Sequence, residues 1–367
     1  MFNAEIRVDL DAVRHNVALL KAGTPAEVMA VVKADGYGHG MVPCARAALA
    51  GGATWLGVAT LSEALALRTA GLTAPVLAWL LTPGLPLAEA VAADVDLSAA
   101  SVSLLEEVVA AAGVAGRPAR VHLKVDSGLG RGGAAPADWP ALVEAAAKAA
   151  ADGDLDVVGL WSHLANSDVP EHPSIGAQVD AFRSALDVAA RLGVTPRYRH
   201  LANSGATLTR PDTHFDLVRT GIAVYGLSPI AGRRFGLRPA MTVRAAVMIT
   251  KRVPAGHGLS YGHTYVTQRE TTVAVIPVGY ADGVPRAASG RAPVAVNGTR
   301  FPIAGRVCMD QFVLDVGDLA VRSGDEAVLF GEGGPHVDDW AEACDTINYE
   351  IVARMGSGRI ARVYAGG

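Results

Sequence analysis

Met29–Gly40 reads MAVVKADGYGHG: four apolar residues run into a lysine, and a glycine-punctuated loop carrying a tyrosine and a histidine follows at once. A lysine closing an apolar strand must reach out to water, be paired, or serve chemistry. Whichever holds for Lys33, the stretch has the form of a strand turning into a loop, and that form returns along the chain. Candidate strands VMAVVKA, TWLGVAT, PVLAWLL, VDLSAA, ARVHLKV, LDVVGLWSHLA, RYRHLANS and LVRTGIAVYGL fall between residues 27 and 227. Segments of helical period, such as SEALALRTAG and VSLLEEVVAAAG, separate most of them. Strict alternation of β and α predicts a parallel sheet, and eight units in about 200 residues predict a (β/α)8 barrel. An open doubly wound sheet is the alternative.

Beyond GLRPA the pattern changes. Residues 240–335 are rich in Val and Thr and carry frequent turn signals, with the hairpin dipeptide Asn297-Gly298 between APVAV and TRFPIAG. The expected organisation is an α/β barrel over residues 1–235 and a mainly β-strand domain over 236–367. Residues 1–9 are a candidate extra strand of the β domain, and HVDDWAEACDTINYEIVARMG reads as a helical segment closing the chain.

Half of the 367 residues are hydrophobic, enough for two cores, and a net charge of −4 argues against a broad basic surface for nucleic acid or anionic membrane. Cys44, Cys308 and Cys344 are odd in number and widely spaced, fitting neither a disulfide framework nor a metal cluster. No metal is expected. The N-terminal MFNAEIRVDLDAVRHN lacks the apolar centre of a signal peptide, and prolines with Gly84 interrupt the most hydrophobic stretch, APVLAWLLTPGLPLAEAVAA. A soluble cytoplasmic protein is expected.

A (β/α)8 barrel gathers its active site at the C-terminal ends of the strands. Five of the eight candidate strand ends carry groups suited to chemistry: Lys33, Lys124 with Arg131, His163, Asn203 with Ser204, and Arg219 with Gly221. Ser204, the Gly221 backbone and a nearby tyrosine suit a phosphate, which barrels often hold near their last two strands. A buried lysine of lowered pKa suits Schiff-base formation, and the two together point to pyridoxal 5'-phosphate (PLP). GLGRGG, Gly128–Gly133, competes as a dinucleotide fingerprint. Against it, Lys124 and Asp126 make that strand end polar, and Pro136 and Pro140 delay the helix that should follow.

With these residues in view, the sequence resembles the bacterial alanine racemases, fold-type III PLP enzymes, nearly end to end. AVVKADGYGHG is similar to the family's first-strand signature, which implies that Lys33 bears PLP and Tyr37 contacts its phosphate. KVDSGLGRGG resembles the carbamylated-lysine motif, so Lys124 is implied to carry the carbamate and to hold Arg131 against the cofactor's phenolic oxygen and the substrate carboxylate. SHLANSD, HLANSGA and VRTGIAVYGL imply His163 stacked on the cofactor ring, Asn203 and Ser204 at the phosphate, and Arg219 on the pyridine nitrogen. Gly221 and Ile222 are implied backbone donors. GLSYGHTY implies Tyr261 as the second catalytic base, and INYE implies Tyr349 as a phosphate ligand. Tyr280 and Met309 are implied substrate-binding residues, and Asp168, Arg286, Arg306 and Asp310 are implied to line the way substrate enters. The tail departs: where many members read like RVPR, this chain has GSGRIAR.

The resemblance implies a homodimer with shared active sites that interconverts L- and D-alanine by two bases, Lys33 and Tyr261, supplying D-alanine for peptidoglycan. A free tyrosine titrates near pH 10, so work near neutrality needs about 4 kcal/mol of differential stabilisation, and Arg219 and His163 are the implied positive neighbours. Racemisation of another small amino acid such as serine, a fold-type III decarboxylase, and a non-catalytic PLP-binding barrel are the alternatives. Taken singly, Tyr280 and Tyr349 read equally as core tyrosines, Met309 as packing and Asp310 as a turn residue. His39 and His257 read as surface residues.

Overall fold

The computed structural model describes residues 3–356 and 358–366, so that Ser357 of the tail segment and the first two residues of the candidate N-terminal strand lie outside the described residues. The chain forms two compact units. One comprises Val13–Ala34 and Met41–Arg238; the other comprises the chain up to Ala12, Asp35–Gly40 and the chain from Pro239.

Strands are numbered from β1 (Ala4–Asp9) in the second unit. The first unit contains β2 (Glu27–Val31), β3 (Trp55–Val58), β4 (Val76–Ala78), β5 (Asp96–Ala99), β6 (Ala119–Lys124), β7 (Leu155–Trp161), β8 (Tyr198–His200) and β9 (Leu217–Thr220). Every strand expected from the alternation is present. Parallel ladders join them in the order β9-β2-β3-β4-β5-β6-β7-β8. That order never reverses, as it does in a doubly wound sheet. The two ends are tied by the Asp216 amide donating to Arg199 O at 3.1 Å and the Arg219 amide to Ala202 O at 2.9 Å. The sheet is a (β/α)8 barrel.

Local sequence explains where its helices start and stop. Thr60 caps Leu61–Thr69 while Glu63 reaches back to the Thr60 amide, a capping box. Ser101 caps Val102–Ala115, which ends on Gly116 in the left-handed region. Within the unit, Met29, Trp55, Leu77, Val158 and Leu217 pack as one apolar cluster with Trp79 and Tyr198 against it. Burial of each large side chain contributes about 1.5–3 kcal/mol, so the barrel is a filled core that holds its strand ends rigidly.

The second unit holds a six-stranded sheet ordered Thr299–Pro302, Pro293–Val296, Glu326–Phe330, Met241–Ala246, β1, Ala361–Ala365. A three-stranded sheet of Ile249–Val253, Thr271–Ile276 and Phe312–Gly317 lies in the same unit. Asn297 and Gly298, both at positive φ, close the expected hairpin, with Val296 paired to Thr299. The closing helical segment is two helices, Val337–Ala343 and Asn348–Met355. It does not end the chain: Ala361–Ala365 follows as a strand parallel to β1. Its five residues are too few, and too exposed, to show a burial period in the sequence. Among the described residues, no helix is long and apolar enough to cross a membrane, and no cluster of His, Cys, Asp and Glu could hold a metal ion.

Candidate active site

Strand β2 stops at Val31, and Lys33 opens a helical turn, Lys33–Tyr37, of unusual hand. Ala34, Asp35, Gly36 and Tyr37 all have φ between 51° and 64°. For the three residues other than glycine this costs roughly 1–2 kcal/mol each, strain that persists only where the surroundings over-determine it. Here Glu63 accepts the Ala34 amide at 2.7 Å, Arg362 pairs with Asp35, and Tyr37 is buried. The Lys33 amine lies 5.9 Å from the Trp79 ring centre. Burial and the nearby Arg131 lower its pKa, against a smaller upward pull from Glu63. The group is thereby biased toward the neutral, nucleophilic amine.

Lys124 ends β6 and sits 4.3 Å over the Trp161 ring. Burial, then Arg219 and Arg131, lower it to about 8. The following loop is not a dinucleotide site. The amides of Gly128, Leu129 and Gly130 all donate to the Asp126 carboxylate at 2.9–3.2 Å, and the next helix begins only at Trp139. A side-chain carboxylate thus occupies the nest that a phosphate would need. The loop turns back so that Ala134 pairs with Val125, with Arg131 exposed at its tip.

His163 follows β7. Gln178, buried on helix Ser174–Arg191, grips the segment by donating to His163 O at 3.0 Å and accepting the Ala165 amide at 2.9 Å. Burial and four cations, Arg219, Arg131, Lys124 and Lys33, push the imidazole well below its ordinary pKa. Arg219, 4% exposed on β9, donates from Nη1 to His200 O and His200 Nδ1, and from Nη2 to Ser162 O, Leu201 O and His163 Nδ1. Among the described residues, its Nε–H has no hydrogen-bond partner. Asn203 caps helix Ser204–Thr209. The buried Ser204 hydroxyl accepts the Gly221 amide at 2.8 Å and the Ala223 amide at 3.4 Å. With both lone pairs engaged, its proton is available to an acceptor such as a phosphate oxygen. Ile222 is buried beside it, and Asp168 lies exposed in the loop after His163.

In the second unit, Tyr37 and Tyr349 face each other with ring centres 6.2 Å apart. Burial, and then Tyr349, raise the Tyr37 hydroxyl, which stays a proton donor. Three further segments converge. Ser260 Oγ donates to Arg306 O, and the Tyr280 and Ala281 amides donate to Cys308 O and Met309 O. The side chains carried there are exposed: Tyr261 at 72%, Met309 at 53% and Tyr280 at 39%, with Arg286, Arg306 and Asp310 exposed as well. Ser260, just before Tyr261, holds φ 60° and ψ −173°, a region otherwise almost confined to glycine.

Some groups escaped the sequence reading. His39 is fully buried, not a surface residue: its Nδ1–H serves Gly36 O and Tyr37 O at 3.0 and 2.9 Å, bracing the left-handed turn. Asp96, His122 and His200 are buried and joined by hydrogen bonds to Arg219. The signal was present in ARVHLKV, where Arg120, His122 and Lys124 alternate on one face of a strand.

The comparisons with known proteins agree with this geometry. Residues 8–229 match the family model "Alanine racemase, N-terminal domain" and residues 240–364 match "Alanine racemase, C-terminal domain". The alanine racemase of Salinispora arenicola is 65% identical over 100% of this chain and 99% of its own. That of Frankia casuarinae is 60% identical over 97% and 95%. The crystal structure of alanine racemase from D-cycloserine producing Streptomyces lavendulae superposes with a TM-score of 0.98 at 56% identity, covering 100% of this chain and 98% of the other. The Bacillus anthracis alanine racemase with bound L-Ala-P gives 0.90 at 37% identity, covering 100% and 96%. On fold, length and sequence alike, the chain belongs to the alanine racemase family.

Proposed function

We propose that the protein interconverts L- and D-alanine on a PLP cofactor held by Lys33, acts in the cytoplasm, and supplies D-alanine for peptidoglycan. The observation that carries the reading is the pairing of a lysine biased toward its neutral form with four neighbouring cationic or donor groups at one barrel mouth. The residues present fit the cofactor. Ser204 has a hydroxyl proton to give a phosphate, Arg219 has an uncommitted Nε–H to give a ring nitrogen, and neutral His163 offers a flat face to a ring. Asn203, Ile222, Tyr37 and Tyr349 are assigned to the phosphate with Ser204, and Gly221, whose amide donates to the Ser204 hydroxyl, supports that site through it.

When bound, PLP withdraws electrons from the α-carbon of the amino acid and makes its α-proton acidic. The protein's work is to move that proton from one face to the other. Lys33 Nζ, displaced from the cofactor by the substrate amine, would take it on one face, and burial and Arg131 lower its pKa from the ordinary lysine value. Tyr261 Oη gives a proton to the opposite face. Arg131 holds the substrate carboxylate, with Lys124 as a carbamate holding Arg131 in turn. Arg219 would hold the ring nitrogen and has no proton it readily surrenders, so it would supply no proton there, which would disfavour transamination. Met309 and Tyr280 bind substrate, and Asp168, Arg286, Arg306 and Asp310 line its approach.

The β domain, taken as residues 236–367, supplies Tyr261 to a partner subunit in a homodimer. Support comes from exposure: Tyr261 is 72% exposed and follows the strained Ser260, which leaves its side chain open to a partner subunit. The test is chiral chromatography of reactions with each L-amino acid in turn, together with borohydride reduction and peptide mapping. D-Alanine forming fastest, with the reduced cofactor on Lys33, supports the reading. Carbon dioxide release, faster turnover of serine, or label on another lysine overturns it.

A further inference from the structure

We infer that Asp96, His122 and His200 are a buried relay of positioning residues that fixes Arg219, with every hydrogen bond along it pointing in one direction. A guanidinium only donates, so the Nη1 contact with His200 Nδ1 at 3.2 Å requires a lone pair on that nitrogen. His200 is fully buried, and burial and then the Arg219 charge hold it neutral, so its one proton sits on Nε2. That N–H donates to His122 Nδ1 at 2.8 Å, which must then also be a lone pair. His122 in turn keeps its proton on Nε2 and donates to Asp96 Oδ2 at 3.1 Å. Asp96 ends the chain as an anion: burial raises its carboxyl, but the bonds from His122 and Arg120 outweigh that and hold it below the usual range. Arg120 Nε donates to Asp96 Oδ1 at 2.7 Å and carries the network toward solvent. A single protonation pattern satisfies every member.

Two further features show that the barrel is built around this chain. The ladder between β6 and β7 shifts register at His122, which then pairs with Gly159. A Cβ at Gly159 would lie 2.2 Å from His122 Nδ1, so only glycine leaves room for the ring. Trp161 stacks on His200 at 5.6 Å and 4° and lies 4.7 Å from the Arg219 guanidinium, a shelf shared by both. The relay therefore holds a buried cation in one orientation and gives it an acceptor backed by a carboxylate. Asn at position 96 can offer one oxygen to two donors. If its NH2 faces His122, the protons along the chain reverse and His200 presents an N–H to Arg219.

The consequence for the cofactor rests on the function proposed above; the proton pattern does not. The experiment is 15N NMR of histidine-labelled holoenzyme between pH 6 and 9, with resonances assigned through His122→Gln and His200→Gln. His122 and His200 should both be neutral Nε2–H tautomers throughout. A doubly protonated ring, or an Nδ1–H form of either, overturns the relay whether or not alanine is racemised. In Asp96→Asn, kcat should fall at least about tenfold with KM for alanine within twofold, and the absorption band of the bound cofactor should shift. Gly159→Ala, which displaces the same ring, should reproduce these changes. A variant that only melts earlier, with kcat per cofactor-loaded site and spectrum unchanged, assigns the chain to stability and overturns the positioning role.

Discussion

Arg219 Nη2 lies 3.2 Å from His163 Nδ1, and because the guanidinium can only donate, the imidazole is the acceptor. His163 is thereby a neutral ring with its proton on Nε2, as burial among four cations also demands. It is not one of the positive charges expected to assist Tyr261. Of the implied pair, only Arg219 carries charge.

That charge sets the first prediction. Arg219→Glu can share a proton with a ring nitrogen, which strengthens electron withdrawal and opens transamination. Racemisation should fall by about 100-fold or more, with pyruvate appearing from alanine and activity decaying as it does. An unchanged rate, with no pyruvate in a coupled assay, would show that Arg219 does not touch the cofactor.

Lys124 gives the second. An ordinary lysine is about 0.04% neutral at pH 7, but a pKa of about 8 leaves roughly one in ten unprotonated, and only the neutral amine adds carbon dioxide. Raising the pH through 8 should fill the carbamate and lowering it below 7 should empty it. In 13C-bicarbonate, wild-type protein should show a carbamate resonance that Lys124→Ala lacks. Stripping carbon dioxide should lower activity reversibly. Absence of the resonance at pH 9 would remove the carbamate.

Arg359 provides a third. Its Nη2 donates to Asp310 Oδ1 at 2.8 Å while Nε approaches Asp282 Oδ1 at 3.4 Å, and Asp282 Oδ2 caps the Gly279 amide at 2.8 Å. One guanidinium from the divergent tail thus ties the Met309 turn to the Tyr280 turn. Arg359→Ala should raise KM for alanine about fivefold with kcat within twofold, because the ties hold the proposed binding residues and not the proposed bases. A fall in kcat with KM constant would contradict it.

The barrel was legible because alternation of β and α leaves few topologies, and because strand ends must then converge: Lys33, Lys124, His163, Ser204 and Arg219 were readable on that ground alone. The conformation at Lys33 was not. Gly36 and Gly38 announce a turn, but nothing in Ala34 or Asp35 announces left-handed backbone, which is imposed by His39, Glu63 and Arg362 from elsewhere in the chain. The roles of His122 and His200 are hidden in the sequence for a related reason. A polar residue inside a strand is meaningful only once its neighbours across the sheet are known, and the register that sets His122 beside Gly159 contains a shift no sequence pattern reports.

The two-base, shared-site account is tested most directly by mixing inactive Lys33→Ala and Tyr261→Phe proteins under conditions that allow subunits to exchange. Tyr261→Phe should nearly abolish racemisation while PLP stays bound, since the proposed role of the hydroxyl is to move a proton and not to hold the cofactor. If each site draws Lys33 from one chain and Tyr261 from the other, the heterodimer has one site with both bases and one with neither, and activity should return to the mixture. If both bases come from one chain, every site lacks one of them. A mixture that stays inactive after exchange has been demonstrated would contradict the account.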